Sequence, residues 1–360
     1  MLLKYDVESN QPSHNFVDGP HIRVLKYEKC LEVLYFNYDF NKALLSVDSD
    51  KISIDENVEV EVEINHEKYI PKFNAKLFHS APASVFSAVE KIVAIGDLHG
   101  DYNRLIRALL AANVINKQGS WIFGNGHVVI IGDVFDRGNQ VTSLLWKIYQ
   151  LNQESERAGG KVHFLLGNHE WMNLNKDHRF LHPHYVYLCE KHNIDYSDLY
   201  NSDFILGSWL RSRNSVIRIG DVLFVHAGLS AEVSEAFPYL EDINIQIRRI
   251  LDDSLIVRRN SKEELLTGSY GPLWYRGYIM PWVGKSIVNT SDFKKILKVY
   301  NSNYLVFGHT TQAHIESFYD GAAFGIDVPF GNIEQEEVLL YEDGVWYRFY
   351  VHKKEKVKIG

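Results

Sequence analysis

The chain has 360 residues, 46% of them hydrophobic and 23% charged, which is ordinary globular composition for one large domain or two smaller ones. A net charge of −8 excludes the electrostatic footprint of a non-specific nucleic-acid or anionic-membrane binder. The two cysteines, Cys30 and Cys189, make no disulfide framework, and no apolar run has the length of a signal-peptide core or a membrane span. A reduced, cytoplasmic protein with no nucleic-acid or membrane partner is the expectation; oligomeric state is left open.

In chain order, residues 1–85 read as a small β-rich module. Residues 24–27, 31–36, 58–64 and 72–78 are β-rich or alternating, separated by Asn, Asp, Ser and Pro. The run 58–64 alternates apolar with acidic residues, Glu59, Glu61 and Glu63, as a half-exposed strand would. From Lys91 the rhythm changes to strand, loop, helix. Residues 102–115 and 141–150 carry apolar side chains at helical spacing, between β-branched runs at 92–95, 128–131 and 162–166. Residues 173–218 and 231–266 read as largely helical insertions. The last third returns to strands at 304–307, 322–326, 337–341 and 345–349, with Glu342-Asp343-Gly344 as a hairpin turn.

Five short clusters of metal-ligand residues punctuate the second part: Gly96-Asp97-Leu98-His99-Gly100, Gly132-Asp133-Val134-Phe135-Asp136-Arg137-Gly138, Gly167-Asn168-His169-Glu170, Val225-His226-Ala227-Gly228 and Gly308-His309-Thr310. The first four directly follow β-branched apolar runs. Ligands at strand ends are rigidly fixed, and crevices in α/β sheets open at the carboxyl ends of strands. Oxygen and imidazole donors without thiolate suit Mn²⁺, Zn²⁺ or iron.

Other polar groups carry less. His178, His182 and His184 match no ligand spacing, and Pro183 breaks any common helical face. Gly284-Lys285-Ser286 lacks the glycine that a phosphate-binding loop needs at position 279, which is isoleucine. Arg211 and Arg213 read as solvated loop charges that could reach a phosphate.

The order Gly-Asp-x-His-Gly, Gly-Asp-x-x-Asp-Arg-Gly, Gly-Asn-His-Glu resembles the signature of the calcineurin-like metallophosphoesterases, in their phosphoprotein phosphatase branch. Residues 167–173 and 272–277 look most like the Shewanella-like protein phosphatases of that branch. The resemblance covers about residues 91–327. It implies an αββα sandwich, an α/β (α+β) fold, as a catalytic domain over 86–360 behind the β-rich module 1–85. It implies two divalent metal ions, with Asp97 and His99 on the first, Asp133 bridging, and Asn168, His226 and His309 on the second. Arg137 and Arg276 would grip phosphoryl oxygens, and His169 would protonate the leaving alcohol with Asp136 on its other ring nitrogen. The implied reaction is in-line attack on a phosphomonoester by a hydroxide bridging the metals. The implied substrate is a phosphorylated protein (Ser/Thr or Tyr) or a small phosphoester. Alternatives are a dinucleoside polyphosphate hydrolase and a non-catalytic phospho-recognition module, the latter disfavoured because no ligand is lost. Ala227 departs from the glycine common there in the branch; a methyl group should be tolerated.

Overall fold

A computed structural model describes residues 15–53, 79–253 and 261–360, and the backbone of residues 57–59, 62–64, 67–69 and 72–74. The chain opens with an antiparallel sheet of β1 (Phe16–Leu25), β2 (Cys30–Asp39) and β3 (Leu44–Ser53), in that order. Its third strand has no apolar alternation, because most of its side chains are exposed; backbone pairing with β2 along its whole length makes it a strand. Four three-residue strands follow: β4 (Asn57–Glu59), β5 (Val62–Ile64), β6 (Glu67–Tyr69) and β7 (Lys72–Asn74), pairing β4 with β7 and β5 with β6. The alternating run at 58–64 falls on β4 and β5. Residues 60–61, residues 75–78 of the last expected strand, and the side chains of Glu59, Glu61 and Glu63 lie outside the described residues.

The rest of the chain builds two six-stranded sheets. One contains β9 (Lys91–Ile95), β10 (His127–Ile130), β11 (Lys161–Phe164), β17 (Glu337–Glu342), β18 (Val345–Tyr350) and β19 (Glu355–Lys358), in the order β11-β10-β9-β17-β18-β19. The other holds β8 (Val85–Phe86), β12 (Val216–Ile219), β13 (Val222–Val225), β14 (Tyr304–Phe307), β15 (Glu316–Phe318) and β16 (Ala323–Gly325), ordered β15-β16-β14-β13-β12-β8. β9 to β11 run parallel, as do β13 and β14.

Strand side chains divide cleanly between two cores. Ile92, Ala94, Val129, Ile131, Val222 and Phe224 meet between the sheets, with Val306, Phe324, Leu339 and Trp346. Their alternates, Val93, Ile95, Val128, Ile130, Leu223 and Val225, face outward under the helices. Burial on both faces is why these strands read as unbroken apolar runs. The expected αββα sandwich is therefore the observed fold.

The helical insertions resolve into distinct pieces. α1 (Tyr102–Ala111) is capped by Asp101, whose side chain accepts the Arg104 N–H at 2.8 Å. It ends earlier than the apolar stripe suggested, because Asn113 turns with φ +53° while Val114 stays buried. α2 (Val141–Arg157) continues beyond residue 150, where its final turns are largely polar. α3 (Asn168–Leu174), α4 (Pro183–His192) and α5 (Ile205–Arg211) fill most of the first insertion, whose last residues already belong to β12. α6 (Ala231–Ala236), α7 (Leu240–Asp252) and α8 (Lys262–Thr267) form the second, with α9 (Thr290–Val299) following. At the β17–β18 hairpin, Asp343 and Gly344 have φ +48° and +86°, the twist-matched turn that Asp-Gly favours. Among the described residues no helix is long and apolar enough to cross a membrane.

The N-terminal sheet packs on this body. Phe16 stacks on His184 of α4 at 4.9 Å, Tyr38 meets Tyr187 edge-on at 5.5 Å, and Trp146 of α2 donates to Pro20 O at 2.8 Å.

Candidate metal centre

Each ligand cluster occupies the turn leaving a strand. Asp97 and His99 follow β9, the segment 133–137 follows β10, Asn168 and His169 open α3 behind β11, His226 follows β13, and His309 follows β14. These turns are backbone-strained. His99, Asp133, Asp136, Arg137 and His309 all adopt positive φ, at +44°, +52°, +69°, +63° and +63°. Such conformations cost a non-glycine residue of order 1–3 kcal/mol and persist where surrounding structure enforces them. The flanking glycines answer a packing need. A Cβ on Gly167 would lie 2.2 Å from Asp133 Oδ1, and one on Gly132 would lie 2.6 Å from Gly167 N. Two ligand-bearing turns can approach so closely only without side chains there.

The turns converge on Asp133. Its Oδ1 accepts the His169 backbone N–H at 2.9 Å, and its Oδ2 lies 3.4 Å from His226 Nε2 and 3.8 Å from His169 Nε2. Its backbone carbonyl accepts the N–H groups of Leu98 and His99 at 3.1 and 2.8 Å, tying the first cluster to the second. Ligand atoms of His99, Asp133 and His169 lie within 4.8 Å of one another, as do those of Asp133, His226 and His309. Asp133 belongs to both groups.

The donor set fits cations. His226 Nδ1 donates to Ile131 O at 2.9 Å, so a neutral ring presents its Nε2 lone pair to Asn168 Oδ1 (2.8 Å), His309 Nδ1 (3.2 Å) and Asp133 Oδ2 (3.4 Å). Acceptors facing one another repel unless positive charge lies among them. Correspondingly, although burial opposes it, Asp133 pushes the His226 pKa up to about 9. His99 Nδ1 likewise donates to Phe135 O at 3.0 Å, leaving Nε2 directed toward Asp97 Oδ2 at 4.0 Å. Burial, then the neighbouring Asp327 and Asp133, hold the Asp97 carboxyl well above the usual range, while burial lowers His99 to about 3. Positive charge would reverse the penalty on Asp97.

A second arrangement lies beside the ligands. His169 Nδ1 donates to Asp136 Oδ2 at 2.5 Å, and the other oxygen of this fully buried carboxylate has no hydrogen-bond partner among the described residues. Burial works against the His169 imidazolium, but Asp133 and Asp136 together raise its pKa above the ordinary value. Arg137 is exposed next to this pair. Half-buried Arg276 donates to His309 O at 2.9 Å and Thr310 Oγ1 at 3.2 Å, and its guanidinium lies over Trp282 at 5.8 Å. It is therefore a wall of the site, rather than a surface charge. Ala227 is buried, with its N–H donating to Pro272 O at 2.8 Å, and its methyl is accommodated.

Sequence reasoning assigned no role to two buried acids. Glu170 accepts from the backbone N–H groups of Gly167, Asp133, Val134 and Phe135 at 2.7, 2.8, 2.7 and 3.2 Å. It clasps the second cluster to the third; a Glu three residues after the helix-opening glycine was the available signal. Asp327, just beyond β16, accepts from Thr311 Oγ1 at 2.6 Å and adds a carboxylate near Asp97. It too follows an apolar strand directly.

The decoys stay apart from this centre. His178 bonds Asp195 at 2.8 Å, the His182 ring accepts the His184 N–H as a helix cap at 3.1 Å, and Lys285 pairs with Glu232. Arg213 is not a solvated loop charge: it is buried against Trp209 at 5.2 Å and donates to Ser212 Oγ at 2.8 Å. Arg211 donates to Leu251 O at 2.8 Å.

Comparison with known proteins places the chain in a family. Residues 90–313 match the family model described as calcineurin-like phosphoesterase. The chain is 34% identical over 248 residues to an uncharacterised protein of Schizosaccharomyces pombe, covering 66% of this chain and 72% of that one. It is 29% identical over 244 residues to Shewanella-like protein phosphatase 1 of Plasmodium berghei, covering 66% of each. The crystal structure of the cold-active protein-tyrosine phosphatase of a psychrophilic Shewanella species superposes with a TM-score of 0.81 at 30% identity, covering 96% of this chain and all of that one. The chain belongs to the calcineurin-like phosphoesterase family, as a hydrolase of phosphoric monoesters.

Proposed function

We propose that this protein is a metal-dependent protein phosphatase of the cytoplasm, with phosphotyrosine and phosphoserine or phosphothreonine as candidate substrates. The sandwich that begins with β8 (Val85–Phe86) is its catalytic domain, and the residues before it are an accessory module. Asp97, His99 and Asp133 would hold one divalent cation, and Asp133, Asn168, His226 and His309 a second. Manganese, iron and zinc all suit these donors. When bound, the cations supply Lewis acidity, which acidifies water and offsets charge on phosphorus.

The chain's own residues do the rest. Arg137 and Arg276 bind and orient the phosphoryl oxygens, their fixed charge favouring the dianion. His169, held in one tautomer by Asp136, delivers a proton to the departing alkoxide or phenoxide, a contribution of about 10²–10⁴-fold. The observation that carries this reading is the position of Asp133, whose carboxylate lies within 4.8 Å of ligand atoms of His99 on one side and of His226 and His309 on the other, beside an acid already oriented by its partner. The names of the Plasmodium and Shewanella relatives support a phosphoprotein over a dinucleoside polyphosphate.

Hydrolysis of p-nitrophenyl phosphate should vanish on chelation and return with Mn²⁺, and Asp133→Asn should lose metal and activity together. Chelator-resistant turnover, or an active Asp133→Asn enzyme, would overturn the mechanism. Turnover of phosphotyrosine peptide, phosphoserine peptide and diadenosine tetraphosphate, compared side by side, ranks the substrates.

A further inference from the structure

Exposed aromatic rings beside a reactive centre offer apolar surface to whatever binds there. Two such rings adjoin this one. Phe180 is 48% exposed and lies 5.4 Å, centroid to centroid, from the ring of His169. Phe330 is 38% exposed and meets the ring of His99 edge-on at 6.1 Å. His99 and His169 themselves lie 4.8 Å apart. A phenyl group therefore stands next to each member of this histidine pair, with a substantial part of its surface open.

Phe180 is also held firmly. Its carbonyl accepts the Arg137 N–H at 3.0 Å, and its ring carries the Arg179 guanidinium at 5.8 Å, itself bonded twice to Asp177 at 2.8 Å. The loop behind it is pinned by the bond between His178 and Asp195 at 2.8 Å. An exposed ring on an anchored loop gives a binding surface at low entropic cost.

We propose that Phe180 and Phe330 form an aromatic slot that recognises the leaving group, selecting phosphoesters whose oxygen carries an aromatic ring close to phosphorus. The inference rests on the role of His169 set out above. The leaving oxygen must lie within hydrogen-bond reach of the acid that protonates it. Whatever is bonded to that oxygen then passes the ring adjoining His169, which is Phe180. A phenol or benzyl ring meets it there in stacked or edge-on contact. A serine or threonine side chain is too short to cover it, and a nucleobase is separated from phosphorus by its ribose.

The experiment compares benzyl phosphate with butyl phosphate, whose leaving alcohols have similar acidity, so ring recognition is separated from leaving-group chemistry. The readout is the ratio of their kcat/KM values in the metal-loaded full-length protein. Aromatic contacts of this kind are worth about 3–10-fold each, so the native ratio should exceed roughly ten. Phe180→Leu and Phe330→Leu, which keep apolar volume, should each lower it about 3–10-fold, mainly through KM. Phe180→Tyr should restore it. A native ratio near one, or a ratio unchanged in both leucine variants, overturns the slot. If neither ester is turned over in a metal-dependent way, the phosphatase reading itself fails; if both are and the ratio does not move, only the slot does.

Discussion

The Glu170 Oε2 atom accepts the backbone N–H of Asp133 at 2.8 Å, while the adjoining His169 N–H donates back to Asp133 Oδ1 at 2.9 Å. The two turns thus hold each other through a reciprocal pair of bonds, buried from solvent. Glu170→Gln would place an amide NH₂ against two of four backbone donors, whichever way it turns. Leaving buried donors unmatched costs about 1–3 kcal/mol. Metal content of the purified variant should fall, and p-nitrophenyl phosphate turnover with it by more than about tenfold. Native metal content and rate would show that the strands alone hold these turns.

His169→Asn removes the acid while leaving the ligand residues in place. Metal content should be unchanged. The rate loss should be greatest for alkyl phosphates and smallest for p-nitrophenyl phosphate, whose leaving group needs little protonation. The same loss for every ester would argue against a proton-donating role.

The buried pair of His127 and His163 makes stability depend on pH. Their Nδ1 and Nε2 atoms lie 3.1 Å apart, so one ring donates and the other accepts, and both are neutral. Burial lowers His127 to about 4 and His163 well below its ordinary value, and the charge of Lys161 adds to both. Because the folded values lie below the unfolded one of about 6.5, acid protonates the unfolded chain first. The stabilisation is complete above about pH 6.5 and drains away as pH falls toward about 4, at up to about 1.4 kcal/mol per pH unit for each proton. Urea denaturation at about pH 7.5 and about pH 5 measures this slope. His163→Leu should flatten it, and an unchanged slope would place the acid sensitivity elsewhere.

The sequence by itself determined the buried strands of the sandwich and the candidate ligands at their ends. Four clusters directly after apolar runs meant turns at the carboxyl ends of buried strands, because strands covered on both faces are mostly apolar until they end. The Asp343-Gly344 turn was legible for a related reason, since only a few residues tolerate its positive φ. β3 was not legible, because an exposed edge strand carries no periodic apolar signal and is specified by pairing with β2. Nor was the end of α1, where Val114 keeps its burial after the helix has stopped. Tertiary structure alone decided which clusters share Asp133, that Glu170 clasps two of them, and that Arg276 reaches the fifth through His309 O. It also set the left-handed backbone at His99, Asp133, Asp136, Arg137 and His309. Residue types and spacing record what a turn can ligate. Distances between turns arise only when two sheets pack, and packing brings together positions as far apart in sequence as Asp97 and His309.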